Sequence, residues 1–453
     1  MKKVSKINIG MSLGSLTAVV AIVAGMPIAR ADQTQGTSDN PESGQAAPGG
    51  GSFPGSFLVP GTNTSIKIGG FAKGVYIYDA STNDNSGSSA DVIVPFIIPL
   101  QGTAAYQEHG SSRIHAKQSN FSFDVRTPTS YGELDTFILV DFFGQNTAFA
   151  PNGANTQNAR LVLAYGTLGP LLAGQFLTLW FDGDAVGETV DPTTAVGVSN
   201  GLTNRQPQFR YTYAGADGLS IAGSIEEPVW EVYSNAQSAA TFAATGLGAT
   251  TTAAGAGAWS RWPDFIVRGR WDQAWGHIGI AGLVKDNDVY AIGTPRVGST
   301  GYGGMLSGHL NTFGKDTLRA EGMIGKALGH YLSDMGSTAG IQTNFVNGAV
   351  GTPLAYGGNV SYTHWWTDQL RSTVMGGYSH LTKTAAITSA VAAAALDDHH
   401  IGATVNLIWS PVPQVDLGLE YDYIERVTSH ALTGGNSNQG EMDRIEAMAV
   451  FKF

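Results

Sequence analysis

Apolar and polar positions alternate with a period of two along most of this chain. From Ile401 to Trp409 apolar side chains hold the odd-numbered positions, while His400, Thr404 and Asn406 stand between them. The same alternation returns at 415–425 and 441–453. A period of two puts alternate side chains on opposite faces of a β-strand. The chain therefore predicts amphipathic strands, which occur both in membrane barrels and in soluble sandwiches.

The spacing of the strands separates these two architectures. Connections alternate between short turns, as at 128–132 and 410–414, and long ones, as at 179–204 and 229–262. Short periplasmic turns and long extracellular loops are typical of outer-membrane barrels, and a sandwich gives no reason for such regularity. We predict an all-β, antiparallel, up-and-down transmembrane β-barrel of about 16 strands over residues 58–453. The strands are expected at 65–79, 112–126, 132–143, 159–167, 171–178, 205–213, 219–228, 263–272, 276–286, 300–311, 316–330, 355–366, 370–379, 398–409, 415–425 and 441–453.

Two segments precede the predicted barrel. Residues 1–31 have a basic start, an apolar stretch and small residues at Ala29 and Ala31, which is the pattern of a cleaved signal peptide, although a membrane anchor is the alternative. Residues 32–57 are rich in Gly, Ser, Pro and Gln and predict a flexible periplasmic segment. Removal of the signal takes away four positive charges and changes the formal net charge from −11 to −15.

Composition narrows the class of protein further. Charged residues make up only 13% of the chain, against about 25% in ordinary soluble domains. The acidic balance argues against a nucleic-acid partner, and the absence of cysteine excludes disulfides and thiolate chemistry. The terminal Phe453 closes an alternating strand and predicts recognition by the barrel-assembly machinery. These features together indicate export through the periplasm to a Gram-negative outer membrane.

We find no motif for an enzyme or a cofactor, and we predict a protein without a catalytic site. His399 and His400 beside Asp397 and Asp398 could hold a metal, but further ligands at metal-like spacing are missing, so solvated loop residues are expected. Scattered Ser and His residues leave a membrane hydrolase open as an alternative.

Charged residues are expected on the inner face of the barrel, where polar positions indicate a water-filled lumen. Basic positions occur on several strands. Inward carboxylates are expected on the third strand, at Glu133, Asp135 and Asp141, and on the fifteenth, at Asp416, Glu420 and Asp422. Two opposed walls of charge would create a transverse field, whereas pairing across the lumen is the alternative. The connection at 179–204 is expected to fold inward as a constriction loop, and an exposed extracellular loop is the other possibility. Its acidic residues are Asp182, Asp184, Glu188 and Asp191.

Several strings of residues resemble the DcaP-like porins. The likeness lies in IKIGGFAKGVYIYD (66–79), AKQSNFSFDVRTPTSYGEL (116–134), AYGTLGPLLAGQF (164–176) and RQPQFRYTY (205–213), and it continues more weakly through 263–286 and 361–374. The resemblance implies a homotrimeric channel in outer-membrane lipid for dicarboxylates or aromatic diacids. It also makes six lumen cations candidates for attracting carboxylates: Arg113, Lys117, Arg160, Arg210, Arg268 and Arg270.

Three functional hypotheses follow. The first is a porin for passive diffusion of small hydrophilic solutes, favouring organic anions. The second is a barrel that transports nothing and acts as an adhesin or anchor through the loop at 236–258. The third is the membrane hydrolase.

Overall fold

The computed structural model describes residues 50–81, 93–107, 110–144, 158–190, 195–198, 204–229, 231–234, 257–290, 296–344, 349–431 and 437–453. Sixteen long strands form the wall. They are β1 (Ser65–Asp79), β2 (Ser111–His115 and Asn120–Thr129), β3 (Gly132–Gly144), β4 (Asn158–Leu168), β5 (Leu171–Leu177), β6 (Arg205–Ala214), β7 (Leu219–Glu226), β8 (Asp264–Gln273), β9 (Gly276–Tyr290), β10 (Val297–Asn311), β11 (Thr317–Lys326), β12 (Leu354–Trp365), β13 (Leu370–Leu381), β14 (Asp397–Val412), β15 (Val415–Thr428) and β16 (Gln439–Lys452).

These strands close into a barrel. Each strand pairs antiparallel with the next along the chain, and β16 pairs with β1. The paired residues of β1 and β16 run from Phe71 opposite Lys452 to Asp79 opposite Arg444. A closed barrel leaves no free strand edge, so its backbone groups are hydrogen-bonded within the wall. The predicted 16-stranded antiparallel barrel is confirmed.

Several predicted strands differ from the observed ones by a few residues at their ends, and two of the differences have a clear structural cause. The second strand is interrupted between His115 and Asn120, so Arg113 faces the lumen while Phe121 and Phe123, at the same parity, face outward with 45% and 40% exposure. The strand predicted at 316–330 ends at Lys326, because Ala327 and Gly329 have φ angles of 51° and 60° that a strand does not adopt.

Apolar side chains cover the outer surface. On β14 the exposed positions are Ile401, Val405, Leu407 and Trp409, and the polar positions between them are buried inside. Trp271, Trp366 and Trp409 are 45%, 60% and 47% exposed at the ends of strands that join short turns, as expected for an aromatic girdle. Trp180 is different, because it is fully buried inside the barrel.

Folded loops fill part of the extracellular half of the barrel. Val232–Ser234 pairs parallel with Ile341–Asn344, which pairs antiparallel with Ala349–Gly351. A short helix, α1 (Ala390–Ala395), begins at Ser389, whose hydroxyl accepts from the Ala392 N–H, and the Tyr233 hydroxyl donates to its Ala392 carbonyl. Among the described residues, no helix has the length and apolar character needed to span a membrane.

Residues 50–58 lie at the periplasmic mouth. Phe57 and Leu58 pair with Ile66 and Ser65 at the start of β1. Ahead of them, the Ser52 N–H donates to the Ser65 hydroxyl, and the Phe53 ring lies 4.0 Å from the guanidinium carbon of Arg126. This end of the predicted flexible segment therefore contacts the barrel, and residues 32–49 lie outside the described residues.

Candidate functional site

The connection after β5 folds into the lumen, because β5 ends at Leu177 and the chain turns inward immediately. Trp180 packs against Tyr331 with ring centroids 6.1 Å apart, inside a cluster of buried apolar residues from β7–β13 and the extracellular loops. The described part of this connection therefore folds inward as predicted, and its role as a constriction stays a prediction. We call residues 178–190 and 195–198 the inner loop.

Asp182 is the first anchor of the inner loop. Its carboxylate forms an ion pair with Arg268 of β8 and accepts from the Ser307 hydroxyl of β10 at 2.5 Å. His277 Nε2 lies 2.9 Å from the same carboxylate. Burial alone raises the pKa of Asp182, but the hydrogen bond to His277 and the charge of Arg268 outweigh burial and hold the pKa below its usual range.

Two further carboxylates attach the inner loop to the wall. Asp184 pairs with Arg270 at 2.7 Å. Glu188 accepts from Nε and Nη2 of Arg371 on β13, each at 2.6 Å, a bidentate geometry that fixes both partners. Asp191, the fourth predicted acidic residue, lies outside the described residues.

Beyond Glu188 the inner loop rests on glycines. A Cβ added to Gly377 of β13 would lie 2.1 Å from the Val196 carbonyl oxygen, and one added to Gly402 of β14 would lie 2.5 Å from the Val196 side chain. Gly357 of β12 would meet Gly197 at 2.9 Å. We call these three positions the glycine seat, because only residues without a Cβ let the loop approach the wall so closely.

The six predicted lumen cations divide into two groups. Arg113, Arg160 and Arg270 have side chains that are 23%, 36% and 25% exposed, and they pair with Asp79, Asp141 and Asp184. Arg210, Arg268 and Lys117 are only 4%, 7% and 8% exposed. Arg210 donates to Gln208 Oε1 and to the Leu177 carbonyl, so it helps to fix the start of the inner loop. Lys117 lies in the interruption of β2, where its carbonyl accepts from the Phe142 N–H.

The predicted acidic positions of β15 also have partners. Asp416 accepts from Lys452 at 2.7 Å, Asp422 accepts from the Thr404 hydroxyl at 2.8 Å, and Glu420 accepts from the Val190 N–H of the inner loop at 2.7 Å. Across the described lumen, basic and acidic groups thus interleave and do not form two separate opposed walls.

An apolar strip on the inner face of β3–β5 was not predicted from the sequence. Phe137 and Tyr165 lie side by side with centroids 5.8 Å apart, Tyr165 packs on Phe176 at 4.5 Å, and Phe181 of the inner loop belongs to the same cluster. Phe137, Leu139, Tyr165, Leu172 and Phe181 all remain partly exposed to the lumen. We call these five residues the apolar strip.

His400 is not a solvated loop residue as expected. It is fully buried on β14, where Nδ1 lies 3.0 Å from Asp334 and Nε2 lies 3.5 Å from Asp397. Arg426 pairs with Asp397 at 2.6 Å. This network joins an extracellular loop to the wall, and no group of three ligating side chains suited to a metal occurs among the described residues.

Comparison with known proteins places the fold in a family. A model of the porin subfamily matches residues 54–447, which is most of the chain. This chain belongs to the porin subfamily. The outer membrane channel DcaP of Acinetobacter baumannii has a similar fold, with a TM-score of 0.69 at 20% identity, covering 88% of this chain and 99% of the other. The resemblance to DcaP-like porins is confirmed.

More distant solved structures share less with this porin. An anion-selective porin from Comamonas acidovorans has a TM-score of 0.49 at 8% identity, covering 86% of this chain and 100% of the other. The trimer form of OmpT from Vibrio cholerae has a TM-score of 0.48 at 9% identity, covering 86% and 99%. No curated protein sequence matches this porin significantly. Family and fold together make it an outer-membrane channel for passive diffusion.

Proposed function

We propose that this porin favours small organic anions with an apolar body, such as aromatic acids and dicarboxylates. The observation that supports the proposal is the apolar strip. The lumen of a porin is ordinarily polar, so partly exposed Phe, Tyr and Leu side chains there favour a solute with an apolar part. An apolar wall with a few polar groups fixed around it suits a solute that is itself part apolar and part charged.

The charges around the strip favour an anion. At its extracellular end on β3 and β4, Arg160 is 36% exposed while its partner Asp141 is only 9% exposed, so the solute meets mainly the guanidinium. Arg113 and Asp79 repeat this arrangement on β1 and β2, with 23% and 1% exposure. A guanidinium carries five N–H donors in a planar fork that matches the geometry of a carboxylate.

Arg126 lies at the periplasmic end of the strip, where its side chain is 15% exposed and that of its partner Asp124 is 18% exposed. It is held by Asp124 through two hydrogen bonds of 2.9 and 2.7 Å, and Phe53 covers one face of its guanidinium. Glu133, 45% exposed, lies 3.8 Å from the same guanidinium, so the anion preference rests on Arg160 and Arg113 and not on Arg126.

Phe137→Gln tests the proposal, with Tyr131→Gln as the matched control because Tyr131 is 80% exposed in a periplasmic turn. Reconstituted into planar bilayers, Phe137→Gln should lower the permeability of a benzenedicarboxylate relative to sulfate, which has the same charge and no apolar body. Tyr131→Gln should leave that ratio unchanged. An unchanged ratio in Phe137→Gln would contradict the proposal, and a cation-selective wild type would contradict the anion preference itself.

The adhesin hypothesis concerns a different part of the chain. Its proposed contact loop, 236–258, lies almost entirely outside the described residues. Deletion of that loop separates the two functions, because an adhesin would lose attachment to its target while a porin would keep its conductance.

Two partners complete the proposal. We expect a homotrimer from the DcaP-like resemblance, and native mass spectrometry in detergent would measure it. We also expect the barrel-assembly machinery to recognise Phe453, since its side chain is 64% exposed on the lipid-facing side and its ring lies 5.9 Å from that of Phe121. Phe453→Ala should lower the amount of folded barrel in the outer membrane.

A further inference from the structure

Three cations lie on the outer surface near the extracellular ends of β8–β11, away from the lumen. Arg261 precedes β8 and its side chain is 53% exposed, and Arg296 precedes β10 and is 36% exposed. Lys326 ends β11 and is exposed. We call these three residues the outer cation patch.

Two buried carboxylates hold the arginines in place. Asp286 accepts from the Arg261 backbone N–H at 2.6 Å and from its Nη2 at 3.3 Å. Asp288 pairs with Arg261 Nε at 2.9 Å and also with Arg296. Both carboxylates are only 1% exposed, so solvent and lipid meet the guanidinium groups and not the acids.

The wall provides room for this arrangement. Gly298 lies opposite Asp288 on β10, and a Cβ there would come within 2.6 Å of the Asp288 carboxylate and 3.0 Å of Arg261 Nη2. The glycine therefore lets Arg261 lie flat across β9 and β10. No further Asp or Glu occurs between Glu231 and Asp264 or between Asp288 and Asp316, so the surrounding segments add no negative charge.

The position of the outer cation patch along the membrane normal indicates which part of the membrane it contacts. Val284, Phe265 and Tyr302 are exposed by 43%, 44% and 51% and mark the upper border of the apolar belt. Asp286 is the next outward position on β9 after Val284, about 7 Å further along the strand. Aromatic side chains mark the level of the lipid headgroups, so Arg261 and Arg296, just beyond them, lie at the level of the phosphates, and Lys326 lies level with Tyr302 at the border.

We propose that the outer cation patch binds a phosphate group of the lipopolysaccharide in the outer leaflet. Two guanidinium groups positioned by buried carboxylates supply fork-shaped donors that match a phosphate, and Lys326 adds a point charge. Lys326 is paired with Tyr302 in the sheet, and its side-chain ammonium forms no hydrogen bond or ion pair with another described residue, which leaves the ammonium available.

Purified porin in detergent, titrated with bis-phosphorylated lipid A and with its dephosphorylated form, tests this site by native mass spectrometry. The wild type should bind the phosphorylated lipid more tightly. Lys326→Gln should weaken that binding about five-fold, the effect of one surface cation near an anionic headgroup. Lys315→Gln is the matched control, because Lys315 is 57% exposed in the β10–β11 turn on the periplasmic side.

The paired variant Arg261→Gln/Asp286→Asn removes a guanidinium without changing the net charge or leaving a carboxylate unpaired. It should weaken binding of the phosphorylated lipid and leave the dephosphorylated lipid unaffected. Equal binding of the two lipids by the wild type would overturn the proposal, as would equal losses in Lys326→Gln and Lys315→Gln. Competition by millimolar inorganic phosphate, or a changed oligomeric state in the variants, would also overturn it, indicating a free-phosphate site or an interface between copies.

Discussion

The glycine seat gives the sharpest test of how the inner loop is held. In Gly377→Ala the new Cβ would lie 2.1 Å from the Val196 carbonyl oxygen, 2.8 Å from its carbon and 2.9 Å from Asn359 Nδ2. An ordinary contact begins at about 3.4 Å, so the carbonyl must retreat from the wall by about 1 Å. That movement also breaks the 3.1 Å hydrogen bond from Asn359 Nδ2 to the Val196 carbonyl.

Overpacking of this kind costs about 1–3 kcal/mol, which raises the population of displaced loop positions about 5- to 150-fold. The displaced loop moves toward the lumen, so the mean single-channel conductance should fall and the open-channel noise should rise. Planar-bilayer recording measures both quantities in one experiment.

Gly376→Ala is the control for this prediction. It makes the same substitution one residue earlier, on the lipid-facing side, where the nearest atom to the new Cβ is the Gly402 carbonyl oxygen at 3.9 Å. This variant should behave like the wild type. If Gly377→Ala shows the same conductance and noise as Gly376→Ala, the glycine seat does not position the inner loop.

Three other predictions concern carboxylates that join loops or turns to the wall. Glu188→Gln removes the carboxylate that holds Arg371, so the inner loop should loosen and channel noise should increase, whereas Asp272→Asn, at a 48% exposed partner of Arg270, should not change it. The pKa values of Asp182 and Glu231 are both lowered against the effect of burial, by His277 and Arg268 and by His330 and Lys285. Because each pKa is lowered in the folded protein, the charged carboxylate stabilises the loop contacts at every pH above the ordinary carboxyl pKa of about 4, and this stabilisation is lost only as the pH falls further. Conductance should therefore stay constant from pH 7 to about 4; a transition near pH 5 would contradict this. Asp316→Asn should lower the thermal midpoint of the barrel, followed by heat-dependent gel mobility, because the carboxylate accepts from the Trp365 N–H at 2.8 Å and from the Tyr362 hydroxyl at 2.8 Å; an unchanged midpoint would show that this turn adds nothing to stability.

The barrel could be predicted from sequence because alternation and loop length are local properties of the chain. The interruption in β2 could not, since Arg113 and Phe121 have the same parity and alternation alone puts them on one face. The structure resolves this with four residues, 116–119, that leave the strand and reverse its faces.

The apolar strip was missed for a related reason. Phe137, Ile138, Leu139 and Val140 are apolar at both parities, so no pattern shows which pair faces the lumen. An irregularity between Leu139 and Val140 in the pairing of β3 with β4 adds to the ambiguity. The partners of the inner loop were equally hidden, because Glu188 and Arg371 are 183 residues apart and meet only when the barrel closes.

The permeability of wild-type porin to an aromatic carboxylate tests the central claim most directly. Planar bilayers with potassium chloride on one side and potassium benzoate on the other give the relative permeabilities from the reversal potential. A lumen that combines the apolar strip with exposed Arg113 and Arg160 predicts an anion-selective current in which benzoate permeates at least as well as chloride. A cation-selective current, or one that excludes benzoate, would contradict the account.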